Sequence, residues 1–140
     1  GEWIDGAIDA DLSEPGCEEM TAKYRDGDRK VVSGGGTYLR PTIVYCESFD
    51  HPLSNREFLC PYASVVEVPQ AEMLNQMGES LVVTAITGDK AFHEELLASP
   101  MIDRLNLGPI STMKISWDQP HEGNMFEFLY KRRSIGIAAA

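Results

Sequence analysis

The sequence predicts an α/β fold, with a largely parallel sheet flanked by helices. Three observations carry this. Between residues 63 and 107, β-branched runs alternate with segments of helical period, and strand, helix, strand, helix, strand is the succession that crossover helices impose on parallel strands. A chain of 140 residues hides roughly 68–70% of its unfolded surface, enough for a core without disulfides or structural metal. With 43% hydrophobic and 24% charged residues, it has the composition of a soluble globular domain or a piece of one.

Residues 2–19 hold seven acidic side chains and no basic one, with Trp3, Ile4, Ala7, Ile8 and Leu12 at loosely helical spacing. They read as a surface helix whose acidic face is either solvated or a docking surface, and Glu14-Pro15-Gly16 breaks the pattern. Residues 1–29 are thus an acidic helical lead-in, and 30–140 the body of the domain. Lys30-Val31-Val32 reads as a short strand running into the hairpin-like turn Ser33-Gly34-Gly35-Gly36. Residues 37–46, rich in Thr, Tyr, Ile and Val, are extended, with Pro41 favouring an edge or a strand start. Val65, Val66 and Val68 mark a strand over residues 63–68 that Pro69 ends. Met73, Leu74 and Met77 make a helical stripe over 70–77, closed by Gly78 as C-cap.

Residues 81–87 form the next strand, and Asp89 caps a helix over 90–98. A short strand over 104–107 follows. Met125, Phe128 and Leu129 predict a helix over 124–132, and 134–137 a last strand.

Twelve basic residues against 22 acidic ones give a net charge of −10, which repels phosphates and anionic head groups, and the only tight basic run is Lys131-Arg132-Arg133. Nucleic acid is therefore not an expected partner. Nor is a membrane, since no apolar run approaches the roughly 20 residues that a spanning helix needs. Cys17, Cys46 and Cys60 are an odd number without CxxC spacing, and residues 1–5 lack the basic and apolar regions of a signal peptide; the expected compartment is the reducing cytoplasm.

Most chemical motifs fail on spacing. Gly34-Gly35-Gly36 lacks the third glycine of a dinucleotide fingerprint and the helix that should follow it, and no phosphate-binding GxxxxGK[ST] exists. His51, His93 and His121 lack the spacing that puts two ligands on one metal. The acidic neighbours of Cys17 blunt its nucleophilicity, and Cys46 and Cys60 read as small fillers.

One constellation goes further. Gly36-Thr37-Tyr38-Leu39-Arg40-Pro41-Thr42-Ile43-Val44 resembles the segment of aldehyde dehydrogenases in which a glycine and aromatic residues precede a Pro-Thr pair. Arg56-Glu57-Phe58-Leu59-Cys60-Pro61 resembles their Glu-Glu-Ile-Phe-Gly-Pro signature. Residues 81–89 are similar to the family's strand and turn ending on an aspartate, and Asp103-Arg104-Leu105-Asn106-Leu107-Gly108 to its strand ending on an asparagine. The four segments come in the family's order over residues 30–110.

This resemblance implies the C-terminal part of an aldehyde dehydrogenase-like fold. Its parent enzyme oxidises an aldehyde to a carboxylic acid through a cysteine thioester, with NAD or NADP as cofactor. The glutamate matching Glu57 hydrogen-bonds the nicotinamide ribose, and the position of Leu59 contacts the nicotinamide. Here Leu59 replaces the family's aromatic ring, Phe58 stands one place early and Cys60 replaces a glycine. The asparagine matching Asn106 lies near the active site, or serves local backbone groups. Trp117 and His121, in the polar loop 116–123, either line the substrate entrance or pack within that loop. Assembly is expected as a homo-oligomer, through the strand 134–137 adding to a neighbour's sheet. The family's catalytic cysteine and nucleotide-binding half lie upstream of the matched segments, so the chain is expected to be inactive alone. The alternative is a stand-alone, non-catalytic interaction module with the same fold.

Overall fold

The computed structural model describes residues 1–114 and 134–138. The chain divides into two units, Gly1–Pro69 and Gln70–Ala140. In the first, helix α1 (Glu2–Leu12) is followed by strands β1 (Cys17–Glu19), β2 (Lys30–Ser33), β3 (Gly36–Leu39), β4 (Thr42–Cys46) and β5 (Tyr62–Val66). The second contains α2 (Gln70–Met77), β6 (Ser80–Ala85), α3 (Lys90–Ala98), β7 (Ile102–Leu107) and β8 (Ser134–Ile137).

In the first unit β4 lies between β1, antiparallel to it, and β5, parallel to it. Its alternation turns Thr42, Val44 and Cys46 inward. Ile8 of α1 packs with Val44, Cys46, Leu53 and Phe58, and Ile4, Ala7 and Leu12 flank them on the same helical stripe. The helix stops at Leu12, just ahead of the expected break at Glu14-Pro15-Gly16. Past Pro15, Gly16 takes a φ of 93°, and the next three residues pair with β4 instead. The acidic face is not wholly solvated either: Asp5, on α1, is buried, and Arg29 binds it together with Asp9 and Glu19.

The Gly34-Gly35 turn, with φ of 58° and 79°, joins β2 and β3 in a two-residue hairpin. Residues 37–46 are not one extended run. Pro41 has no amide hydrogen for a ladder, and the chain leaves the hairpin at Leu39 to enter a different sheet at Thr42.

In the second unit β6, β7 and β8 form an all-parallel sheet. Met73 and Leu74 of α2 and Phe92 and Leu96 of α3 pack on Val83, Ala85, Leu105 and Leu107, with Ile102 completing the core. Asp89 caps α3, accepting from the amides of Ala91 and Phe92. Both helices have the bounds their local signals predict. The fold is mixed α/β with parallel pairing in each unit, but the strand and helix alternation does not build one sheet: β5 pairs with β4, and β6 begins another sheet. The predicted helix over 124–132 and the basic run at 131–133 lie outside the described residues. No helix among the described residues is long and apolar enough to cross a membrane.

Candidate functional site

Parallel neighbours need a long connection, and residues 47–61 supply one between β4 and β5 without a helix. Side chains tie it down from within. The Leu53 amide donates to His51 Nδ1 at 3.1 Å, Tyr62 Oη donates to the Leu53 carbonyl at 2.7 Å, and Ser64 Oγ donates to the Ser54 carbonyl at 2.8 Å. Burial pushes the Tyr62 hydroxyl well up, with smaller contributions from Cys46, Cys17 and Asp11, so it remains a donor.

The end of this connection carries Glu57 and Leu59. Phe58, between them, is buried and meets the Tyr62 ring edge-on, with centroids 4.9 Å apart. The guanidinium of Arg56 lies 4.8 Å above the Phe58 ring and pairs with Asp11 of α1. Cys60 N donates to the Phe58 carbonyl at 2.8 Å, tightening the turn. With Phe58 anchored inward, Glu57 is exposed and Leu59 is 92% exposed. The aromatic residue one place early is thus a structural anchor, and Leu59 takes the outward position. Glu57 forms no ion pair among the described residues, which leaves its carboxylate free to accept hydrogen bonds.

Asn106 belongs to the second unit, on the sheet face opposite the helices, and is fully buried. Its Nδ2 donates to Thr84 Oγ1 at 3.1 Å, and the Thr84 hydroxyl donates onward to the Ile110 carbonyl at 3.1 Å. Asn106 Oδ1 has no partner among the described residues. Beside it, buried Arg104 holds the carbonyls of Thr112 and Lys114. The structure thus brings Glu57 and Leu59 together on one turn and sets Asn106 in a polar layer of the other unit. Trp117 and His121 lie outside the described residues.

Reasoning from sequence missed Arg56 and Arg29. Arg29 is 5% exposed; its Nε binds Asp5 at 2.8 Å, Nη1 binds Glu19 at 3.1 Å and Nη2 binds Asp9. Burial works to lower its pKa, but the bonds to Asp5 and Asp9 and the charge of Glu19 outweigh it and raise the pKa. A cavity of about 440 Å³ adjoins this cluster, yet its charges are largely spent on one another: Arg25 also holds Glu19, at 2.7 Å, and Lys30 holds Asp5, at 3.5 Å. No local sequence signal marks Arg29, because its partners lie 10 to 24 residues away.

All three cysteines are free. Burial is the main cause that raises each thiol pKa, with Asp11 adding to it at Cys17. They are protonated at neutral pH and are poor nucleophiles at rest. Among the described residues no group of three or more His, Cys, Asp or Glu is placed to hold a metal ion. Comparison with protein-family models, curated proteins and solved structures finds no match to this chain.

Proposed function

We propose that this chain is the C-terminal part of an NAD(P)-dependent aldehyde dehydrogenase of cytoplasmic location. In this reading it contributes the ribose-binding carboxylate to the parent enzyme and has no dehydrogenase activity alone. The observation that carries the reading is the turn at residues 56–60. A free carboxylate and a nearly fully exposed leucine stand two residues apart on a turn anchored by Phe58. That pairing fits the nicotinamide end of the cofactor: Glu57 accepts from two vicinal ribose hydroxyls, and Leu59 offers apolar contact to the ring. NAD(P), when bound, accepts the hydride; Glu57 orients the ribose, and orientation of this kind governs rate. The aldehyde is the small-molecule partner of the parent enzyme, and Asn106, Trp117 and His121 are assigned to the neighbourhood of its site by resemblance.

The experiment extends the reading frame upstream of the Gly1 codon and follows NAD(P)H formation with a panel of aldehydes. The long protein is expected to turn over, and the 140-residue chain is not. In the long protein, Glu57→Gln should lower kcat about 10- to 100-fold. Turnover by the 140-residue chain that Cys17→Ala abolishes overturns the reading.

A non-catalytic interaction module with the same fold is favoured by one observation. Among the described residues strand β8 stands last in the order β6-β7-β8, pairing with β7 of its own sheet. A second copy could add there, which is also the assembly expected of the parent enzyme. A reading frame that opens near Gly1 selects the module.

A further inference from the structure

Cys17 and Cys46 are direct partners across the antiparallel β1 and β4 ladder. In the same register, the Glu47 amide donates to the Gly16 carbonyl at 2.9 Å and the Met20 amide to the Ile43 carbonyl at 2.8 Å. Hydrogen-bonded and non-hydrogen-bonded rungs alternate along such a ladder. Gly16 with Glu47 and Met20 with Ile43 are bonded rungs, so Cys17 with Cys46 is a non-bonded one. At non-bonded rungs the Cα atoms stand about 4.5 Å apart and the side chains, on one face of the sheet, approach most closely. That separation falls within the roughly 4.4–6.8 Å that a disulfide spans. Both thiols sit in the α1-covered core, Cys46 fully buried and Cys17 half-buried at its margin.

We propose that Cys17 and Cys46 are a redox-responsive pair that closes to a reversible disulfide under a hydroperoxide. Cys17 is the sulfur that oxidant reaches. Its thiol, now 3.7 Å from the Glu14 carbonyl and 3.9 Å from those of Asp11 and Leu12, takes one oxygen from the peroxide and becomes a sulfenic acid, releasing water from hydrogen peroxide. Cys46 then attacks the Cys17 sulfur; the S–S bond forms and the S–O bond breaks. Cys46 Sγ lies 3.9 Å from His51 Nδ1, but the single lone pair of that nitrogen already accepts from the Leu53 amide. The Cys46 proton leaves with the departing hydroxide as a second water. In sum, two thiols and one hydrogen peroxide give one disulfide and two waters, the peroxide taking both electrons. Burial raises both thiol pKa values, which slows the first oxidation step.

The third thiol supplies the discrimination. Cys60 also packs against this core, but the ladder does not pair it with either cysteine. In an unfolded chain the shorter loop closes more readily, so Cys46 with Cys60 is favoured; in the folded ladder Cys17 with Cys46 is favoured. The experiment treats the 140-residue chain with hydrogen peroxide, in buffer and in guanidinium, and maps linked peptides without reduction. In buffer the expected product is a monomer lighter by two hydrogens, with Cys17 linked to Cys46. Dithiothreitol should reverse it, and the thermal midpoint should rise by about 10 °C. Cys60→Ser should leave the link intact and Cys17→Ser should abolish it. Any other pairing in buffer, the same map in buffer and guanidinium, an intermolecular dimer, or sulfinic acid without a link overturns the proposal.

Discussion

Arg29 illustrates what a single side chain contributes to the first unit. Its planar fork meets three carboxylates from two elements, α1 and β1, and two of these, Asp5 and Glu19, are themselves largely sheltered from water. Removing one partner of such a cluster leaves buried charge without compensation. Arg29→Ala should therefore cost about 3–5 kcal/mol of unfolding free energy in a urea titration. Arg29→Lys should recover only part, because an ammonium cannot reach three acceptors in one plane. The acidic residues of the lead-in were legible in the sequence, but their destination was not. Charge count and spacing describe a solvated face equally well, and only the position of Arg29 turns Asp5 and Glu19 inward. The same holds for Glu57 and Leu59. Their positions follow from a resemblance, whereas their joint exposure follows from Phe58, Arg56 and Tyr62 holding the turn from below.

At the scale of elements, the helices were legible and the sheets were not. Helices α2 and α3 begin and end on local chemistry: Pro69 before α2, a left-handed Gly78 after it, and the Asp89 side chain on the first amides of α3. The cap carries a pH dependence. The hydrogen bond from Gln70 at 2.7 Å, joined by those from the amides of Phe92 and Ala91, lowers the Asp89 pKa below its ordinary 3.8. A carboxyl depressed in the folded state stabilises fully above its unfolded value, and that stabilisation is lost as pH falls through the folded one. The α3 amides of Ala91 and Phe92 should therefore shift in NMR spectra as pH falls below 3.8. Asp89→Asn, whose amide oxygen caps at any pH, should flatten this transition, while Asp89→Ala should lower the thermal midpoint at neutral pH. Strand pairing has no comparable local signal. Residues 37–46 carry uniform β propensity, and their division between hairpin and sheet rests on Pro41 and on which partners β4 finds.

For the whole molecule, the division at Pro69 is the principal finding. Glu67 and Pro69 are exposed, and the helices and sheets on either side are closed within their own units. A glutamate-specific protease in limiting amount should cut first after Glu67 and leave two fragments that resist further digestion, read by mass spectrometry. Early cuts within α1 or α3 would contradict two separately closed cores. The net charge of −10 sets behaviour at this scale as well, since it opposes association with polyanions whatever the arrangement of the units.

By itself the sequence determined the mixed α/β character, the bounds of α2, α3 and β8, the glycine hairpin turn and the overall acidity. Each of these depends on composition or on contacts within a few residues along the chain. Only the tertiary structure decided that the strands divide among separate sheets, that Arg29 gathers acids from α1 and β1, and that Cys17 faces Cys46. These are long-range choices: a strand's partner and a buried charge's counterion are settled by which distant surfaces meet, and periodicity carries no information about that.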